Sequence, residues 1–261
     1  MKKPDLYCCF VGYLVGDSLC QIPMLVEYSK NYHIKLIVGT YSRYVFDWIV
    51  TDTDIDTEIV AMLGDGPGTP FNCEQGMIAI HKATDYISKR MKIELPKDGI
   101  TYDNLLNNEM LPSINHGGGY QNKLNYSLPN IKSFDVCEKN YICVQPYTEH
   151  TWKNCNNFFI NYPFQIEAHS IGKQNEPSAI YAIDKRGIPF NEVMKEILQS
   201  KFICGVASFS SVVAFLWHKK QVYCTDIECY RKGQMSINPN CYAYSDTQLS
   251  QVGEKINELS K

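Results

Sequence analysis

The sequence predicts an α/β protein built as two halves, each with a mostly parallel sheet. Two observations lead there. Short apolar runs alternate with stretches whose apolar residues recur at helical spacing, which is the pattern of βαβ units. That alternation is broken once, by residues 95–135, which are rich in Asn, Gly, Pro and Tyr and read as loop. At 261 residues the chain has room for one large domain or two small ones.

The first half opens with an apolar run over 6–11, a short strand with turn residues after it. A helix over 18–31 follows, with Leu19, Ile22, Leu25 and Val26 at helical spacing. Residues 34–39 (I-K-L-I-V-G) form a second strand, 42–49 a short helix, and 57–63 (T-E-I-V-A-M-L) a third strand. A longer helix over 74–91 carries Met77, Ile80, Ala83, Ile87 and Met91 on one stripe. Beyond the irregular segment, strands are expected over 141–145, 164–169, 179–183, 202–206 and 221–225, and helices over 191–200 and 208–218. A terminal helix over 247–259 follows a polar stretch. The expected division is 1–136, 137–245 and the terminal helix 246–261.

Composition narrows the function. Hydrophobic residues make up 44% and charged residues 20%, as in ordinary soluble globular proteins. A net charge of −3 gives no bulk attraction to nucleic acid or anionic membrane. No apolar run reaches the ~18 residues of a membrane span, and Pro4, Asp5 and Gly16-Asp17 argue against a signal peptide. Eleven cysteines without a C-x-x-C pair, several inside apolar runs, read as small buried hydrophobes in a reducing cytoplasm.

Three suggestive motifs have plainer explanations. His116–Gly119 (H-G-G-G) lacks the G-x-S-x-G elbow that an esterase oxyanion loop needs. The acidic run 52–58 lacks the Gly and Glu of a calcium loop, with Thr57 and Leu63 in their places. The stretch 64–70 (G-D-G-P-G-T-P) is no P-loop, although it follows the third strand, where α/β sheets bind ligands.

Three other stretches carry chemistry. Gly16-Asp17 stands at a strand-to-helix turn, where the helix dipole favours an acid. Thr148 and Lys153, in Q-P-Y-T-E-H-T-W-K, follow a strand and offer a hydroxyl and a cation to phosphate oxygens. In F-I-C-G-V-A-S-F-S-S, a strand ends at Gly205-Val206 and Ser208 opens an apolar helix. Ser208, Ser210 and Ser211 can cap that helix or, with its free N–H groups, bind a phosphate or diphosphate.

In this order the three stretches resemble the heptosyltransferase-like glycosyltransferases. Gly16, Asp17, Leu19, Pro23 and Leu25 are similar to that family's G-D-x-L-x-x-x-P-x-L signature. The Thr148/Lys153 loop resembles its phosphate-binding loop, and the Gly205–Ser211 turn its donor diphosphate turn. Two departures stand out: the chain is shorter than typical members, and Ala207-Ser208-Phe209 replaces the family's Asp-Thr-Gly, with no nearby His after it before His218.

The resemblance implies two Rossmann-like domains facing a central cleft (the GT-B architecture), with the terminal helix crossing back onto the first. It implies transfer of a sugar from a nucleotide-diphosphate sugar to a hydroxyl, inverting and without metal or other cofactor. Asp17 would be the general base. Gly16, Thr148, Lys153, Gly205, Ser208, Ser210 and Ser211 would bind donor phosphates. The acceptor could be a glycan, a lipid-linked sugar or a modified nucleic acid; no protein partner is implied. A DNA acceptor carrying hydroxymethylated bases would call on Lys82, Lys89, Arg90, Lys92, Lys123 and Tyr126. A binding protein that has lost catalysis, or a nucleotide-sugar epimerase, would share the phosphate turns.

Overall fold

The computed structural model describes residues 3–10, 15–40, 42–63, 127–148, 153–225 and 238–261. The helix expected over 74–91, the stretch 64–70, the H-G-G-G motif and the basic residues from Lys82 to Lys123 lie outside the described residues, as does Tyr126. The chain divides into two compact units, Met1–Lys132 and Ser133–Lys261.

In the first unit, β1 (Asp5–Phe10), β2 (His33–Gly39) and β3 (Thr57–Leu63) form a parallel sheet in that order. Ile34, Leu36 and Val38 are fully buried along β2, as an inner parallel strand requires. The helical stretch after β1 is two helices, not the single one expected: α1 (Val15–Leu19) and α2 (Ile22–Ser29). Pro23 explains the break. It has no N–H to give, and its ring would strike the carbonyl four residues earlier, so it is accepted only in a first helical turn. α3 (Arg43–Asp52) ends three residues later than expected and buries Val45, Phe46, Trp48 and Ile49.

The second unit contains β4 (Ile142–Gln145), α4 (Lys153–Asn161), β5 (Ala168–Ser170), β6 (Ile183–Asp184) and α5 (Phe190–Gln199). These are followed by β7 (Ile203–Val206), α6 (Phe209–Leu216), β8 (Gln221–Cys224), β9 (Cys241–Tyr244) and α7 (Leu249–Ser260). The six strands are all parallel and lie in the order β6-β5-β4-β7-β8-β9. Counted from β4, that is 3-2-1-4-5-6, the doubly wound order of dinucleotide-binding sheets. The strands expected over 164–169 and 179–183 are shorter and displaced toward their C-terminal ends. The strand β9 was hidden in the polar stretch by its brevity, although Cys241 and Ala243 alternate inward with Tyr242 and Tyr244.

Cys155 and Phe159 of α4 and Val252 and Ile256 of α7 pack with Ile142, Val144, Cys204, Val206, Val222 and Cys224 in one core. The described packing of the terminal helix is therefore against the sheet of its own unit. α6 packs on β7 and β8 without joining that core, and α5 packs on α6, so these two cover the opposite face. The buried cysteines behave as the apolar residues the sequence suggests: burial holds Cys143 and Cys204 protonated and pushes the Cys241 thiol up to about 12. At the N-terminal ends of the strands His169 is stacked on Tyr141 and held between Glu196, 2.5 Å from Nδ1, and Glu167, 2.9 Å from Nε2. No described helix is long and apolar enough to cross a membrane.

Candidate functional site

In a doubly wound sheet, neighbouring helices leave in opposite directions at the point where strand order reverses. A crevice opens there at the carboxyl ends of the strands. Here that point lies between β4 and β7, which pair from Cys143↔Ile203 to Gln145↔Gly205. The residues leaving β4 lead to Thr148, and those leaving β7 lead to Ser208. Two stretches about 60 residues apart in the chain are thus brought side by side by the strand order alone.

Gly205 makes that closeness possible. Its φ is +145, a conformation that L side chains rarely adopt. A Cβ on it would lie 2.1 Å from the carbonyl oxygen of Gln145 and within 2.9 Å of two more backbone atoms of that residue. Only glycine lets β7 approach β4 this closely at the rim of the crevice.

Beyond Gly205, Ser208 is extended (φ −159, ψ −162) and precedes the first turn of α6. Its hydroxyl donates to Oε1 of Gln145, back across the crevice floor. Its N–H donates to the Ser211 hydroxyl at 3.3 Å, and that hydroxyl donates to the Ser208 carbonyl at 2.7 Å. The hydroxyl protons of Ser208 and Ser211 are therefore spent on the turn itself, and Ser210 is buried. The first N–H groups of a helix have no acceptor within it. Among the described residues, those of Phe209 and Ser210 meet none. What the turn offers an anion is chiefly backbone, at the positive end of an eight-residue helix.

The other wall is held in the same manner. Asn156, on the buried side of α4, pairs with the backbone of Thr148 at both ends of its amide. Oδ1 accepts from the Thr148 N–H at 3.3 Å and Nδ2 donates to the Thr148 carbonyl at 3.0 Å. The side chain imitates a strand partner and fixes the loop after β4 against the helix that follows. Lys153 is the first residue of α4. Its side chain lies outside the described residues.

The remaining members sit elsewhere. Gly16 and Asp17 belong to α1 of the first unit, where the Gly16 carbonyl accepts from the Cys20 N–H at 3.0 Å and Ser18 and Leu19 are fully buried. The Asp17 side chain is outside the described residues. His218 lies beyond the far end of α6, in a left-handed conformation (φ 54), so it cannot stand in for a histidine at the Ser208 turn. Among the described residues no group of three or more His, Cys, Asp and Glu is placed to hold a metal ion.

Whole-chain comparison places this arrangement among solved structures. The chain aligns with E. coli heptosyltransferase WaaC with ADP at a TM-score of 0.57 and 11% identity, covering 98% of this chain and 99% of that one. It aligns with E. coli ADP-heptose LPS heptosyltransferase II at 0.52 and 12%, covering 100% and 98%. With a family 9 glycosyl transferase from Veillonella parvula the values are 0.53 and 9%, covering 98% and 90%. The fold is that of the heptosyltransferases. No family model and no curated protein matches the sequence. At such low identity the heptosyltransferase likeness concerns the course of the backbone.

Gln145 and Asn156 were not singled out by sequence reading. Each left a faint trace: Gln145 is the one polar residue closing an otherwise apolar strand, I-C-V-Q, and Asn156 interrupts the inward stripe formed by Cys155 and Phe159.

Proposed function

We propose that the protein is a glycosyltransferase that moves a sugar from a nucleotide-diphosphate sugar to a hydroxyl-bearing acceptor. The observation that carries this reading is the pair of turns at the β4/β7 switch point, in a chain with the heptosyltransferase fold over nearly its whole length. The diphosphate would rest on the N–H groups of Phe209 and Ser210, beside Thr148 and the Lys153 cation. Gly205 and Ser208 would shape the turn, with Ser210 and Ser211 in its first helical positions.

Asp17 would serve as general base from the first unit, beside Gly16. Its carboxylate would take the acceptor proton as the acceptor oxygen attacks the anomeric carbon. The bond from that carbon to the diphosphate oxygen would break, and the nucleoside diphosphate would leave with the electron pair. Attack from the face opposite the leaving group inverts the anomeric centre. Backbone N–H groups and Lys153 would stabilise the charge that grows on the diphosphate, so the step needs no metal. Closure of a GT-B cleft, with the terminal helix bridging the units, would keep water from the donor.

Ala207-Ser208-Phe209, in place of Asp-Thr-Gly, supports a grip on the donor that relies on backbone N–H groups more than on side chains. A binding protein without transfer would keep these turns, and an epimerase would convert donor with no acceptor present.

The test is a thermal-shift panel of ADP, UDP and GDP and their sugars, with ADP-heptose among the first. A ligand at 100 times its Kd stabilises the folded form by about 2.7 kcal/mol, which for a protein of this size is roughly 5–10 °C. We expect one nucleotide family to give such a shift, and the diphosphate to exceed the nucleoside. No shift from any nucleoside diphosphate or nucleotide sugar would contradict the proposal.

A further inference from the structure

We propose that Gln145 is a positioning residue of the donor site, one that sets the turn after β7 so that the N–H groups of Phe209 and Ser210 face the diphosphate. This rests on the glycosyltransferase reading.

Three observations support the role. Gln145 is 5% exposed, at the end of a strand whose other residues are all apolar and buried. A primary amide in such a place costs stability unless it is hydrogen-bonded, so packing alone would favour an apolar residue. Second, its Oε1 takes the hydroxyl proton of Ser208, the residue in the N-cap position of α6. Ser208 forms a capping box with Ser211 at this turn, and its hydroxyl proton is aimed across to β4. Third, the backbones of Gln145 and Gly205 are already in register and in near contact. The side-chain bond therefore adds no tether between strands that need one. What it adds is a defined direction for the Ser208 hydroxyl and for the turn that carries it. Asn156 holds the Thr148 loop on the other wall by the same device, a buried amide spent on loop geometry.

The experiment measures affinity for ADP, UDP and GDP, and for the matching nucleosides, in wild type, Gln145→Glu, Gln145→Leu, Ser208→Ala and the double variant Gln145→Leu/Ser208→Ala. Gln145→Glu keeps an acceptor for Ser208 but sets a negative charge beside the anion. It is expected to weaken the diphosphate about tenfold or more and to leave the nucleoside unchanged. A role confined to stability would move both together or neither. Gln145→Leu and Ser208→Ala should each weaken diphosphate binding about three- to tenfold, and the double variant should be no worse than the weaker single one. Diphosphate binding by Gln145→Glu equal to wild type, or single effects that multiply in the double variant, would overturn the role while leaving the donor reading in place. If wild type binds no nucleoside diphosphate, the donor reading falls and this role with it. Should the Gln145 variants fail to fold, Ser208→Ala, altered at a half-buried turn, carries the same expectation.

Discussion

Asp17→Asn is expected to lower sugar transfer by about 10²–10⁴-fold, the usual contribution of a general base, with donor affinity retained. Asparagine keeps the shape and polarity of the position but cannot accept the acceptor proton. The pH dependence gives a second readout. A carboxylate base works only when ionised, so wild-type transfer should fall as the pH is lowered. In Asp17→Asn that acid limb should vanish. Steady-state kinetics across pH on both proteins checks this. Transfer within twofold of wild type in the variant would remove Asp17 from the mechanism. A nucleotide-sugar binder without catalysis would show no transfer in either protein.

Gly205→Ala is expected to disrupt the β4/β7 switch point. The positive φ alone costs on the order of 1–3 kcal/mol for a residue with a Cβ. The new Cβ would also stand 2.1 Å from a backbone oxygen, which cannot rotate away as a side chain would. Relief requires β4 and β7 to separate at Gln145↔Gly205, the point where the two turns meet. A fall in Tm of roughly 5–10 °C is expected, together with loss of nucleoside diphosphate binding. Gly253→Ala is the natural control. There a Cβ meets the Tyr162 ring edge at 3.2 Å, which can shift, and alanine favours the helix. Differential scanning calorimetry on both variants measures the contrast. A Gly205→Ala protein with wild-type Tm would mean that the two strands do not meet as described.

Much of the fold was legible because parallel strands buried on both faces are written as short uniform apolar runs. I-K-L-I-V-G, Y-I-C-V-Q and F-I-C-G-V could hardly be anything else at their lengths. The order of the strands was not legible. Which strand lies beside β4 depends on contacts between residues far apart in sequence, and no local pattern records them. The helix break at Pro23 was readable in principle, since a proline well inside an apolar helical stretch must end or start a helix. The strand β9 was not, because a four-residue alternation of Cys, Ala and Tyr beside Asn-Pro-Asn has too little length to stand out.

The candidate site divides along the same line. The turns that carry Thr148 and Gly205–Ser211 could be found from strand ends and helix starts. Their adjacency, and the amides of Gln145 and Asn156 that shape them, belong to the tertiary structure. A lone Gln or Asn in sequence gives no hint of being buried, because its value depends wholly on the partner it meets. The serines illustrate the converse. Their hydroxyls looked like phosphate ligands, yet in the fold the protons of Ser208 and Ser211 go to Gln145 and to the Ser208 carbonyl.

On the proposed reading, the switch point of the second sheet holds the diphosphate of a nucleotide sugar. Hydrogen–deuterium exchange of the whole chain, with and without the nucleoside diphosphate that gives the largest thermal shift, tests it most directly. Slowed exchange is expected in peptides spanning 146–148 and 207–212, where the N–H groups of Phe209 and Ser210 would gain an acceptor. Saturating nucleotide with unchanged exchange in both peptides would contradict it.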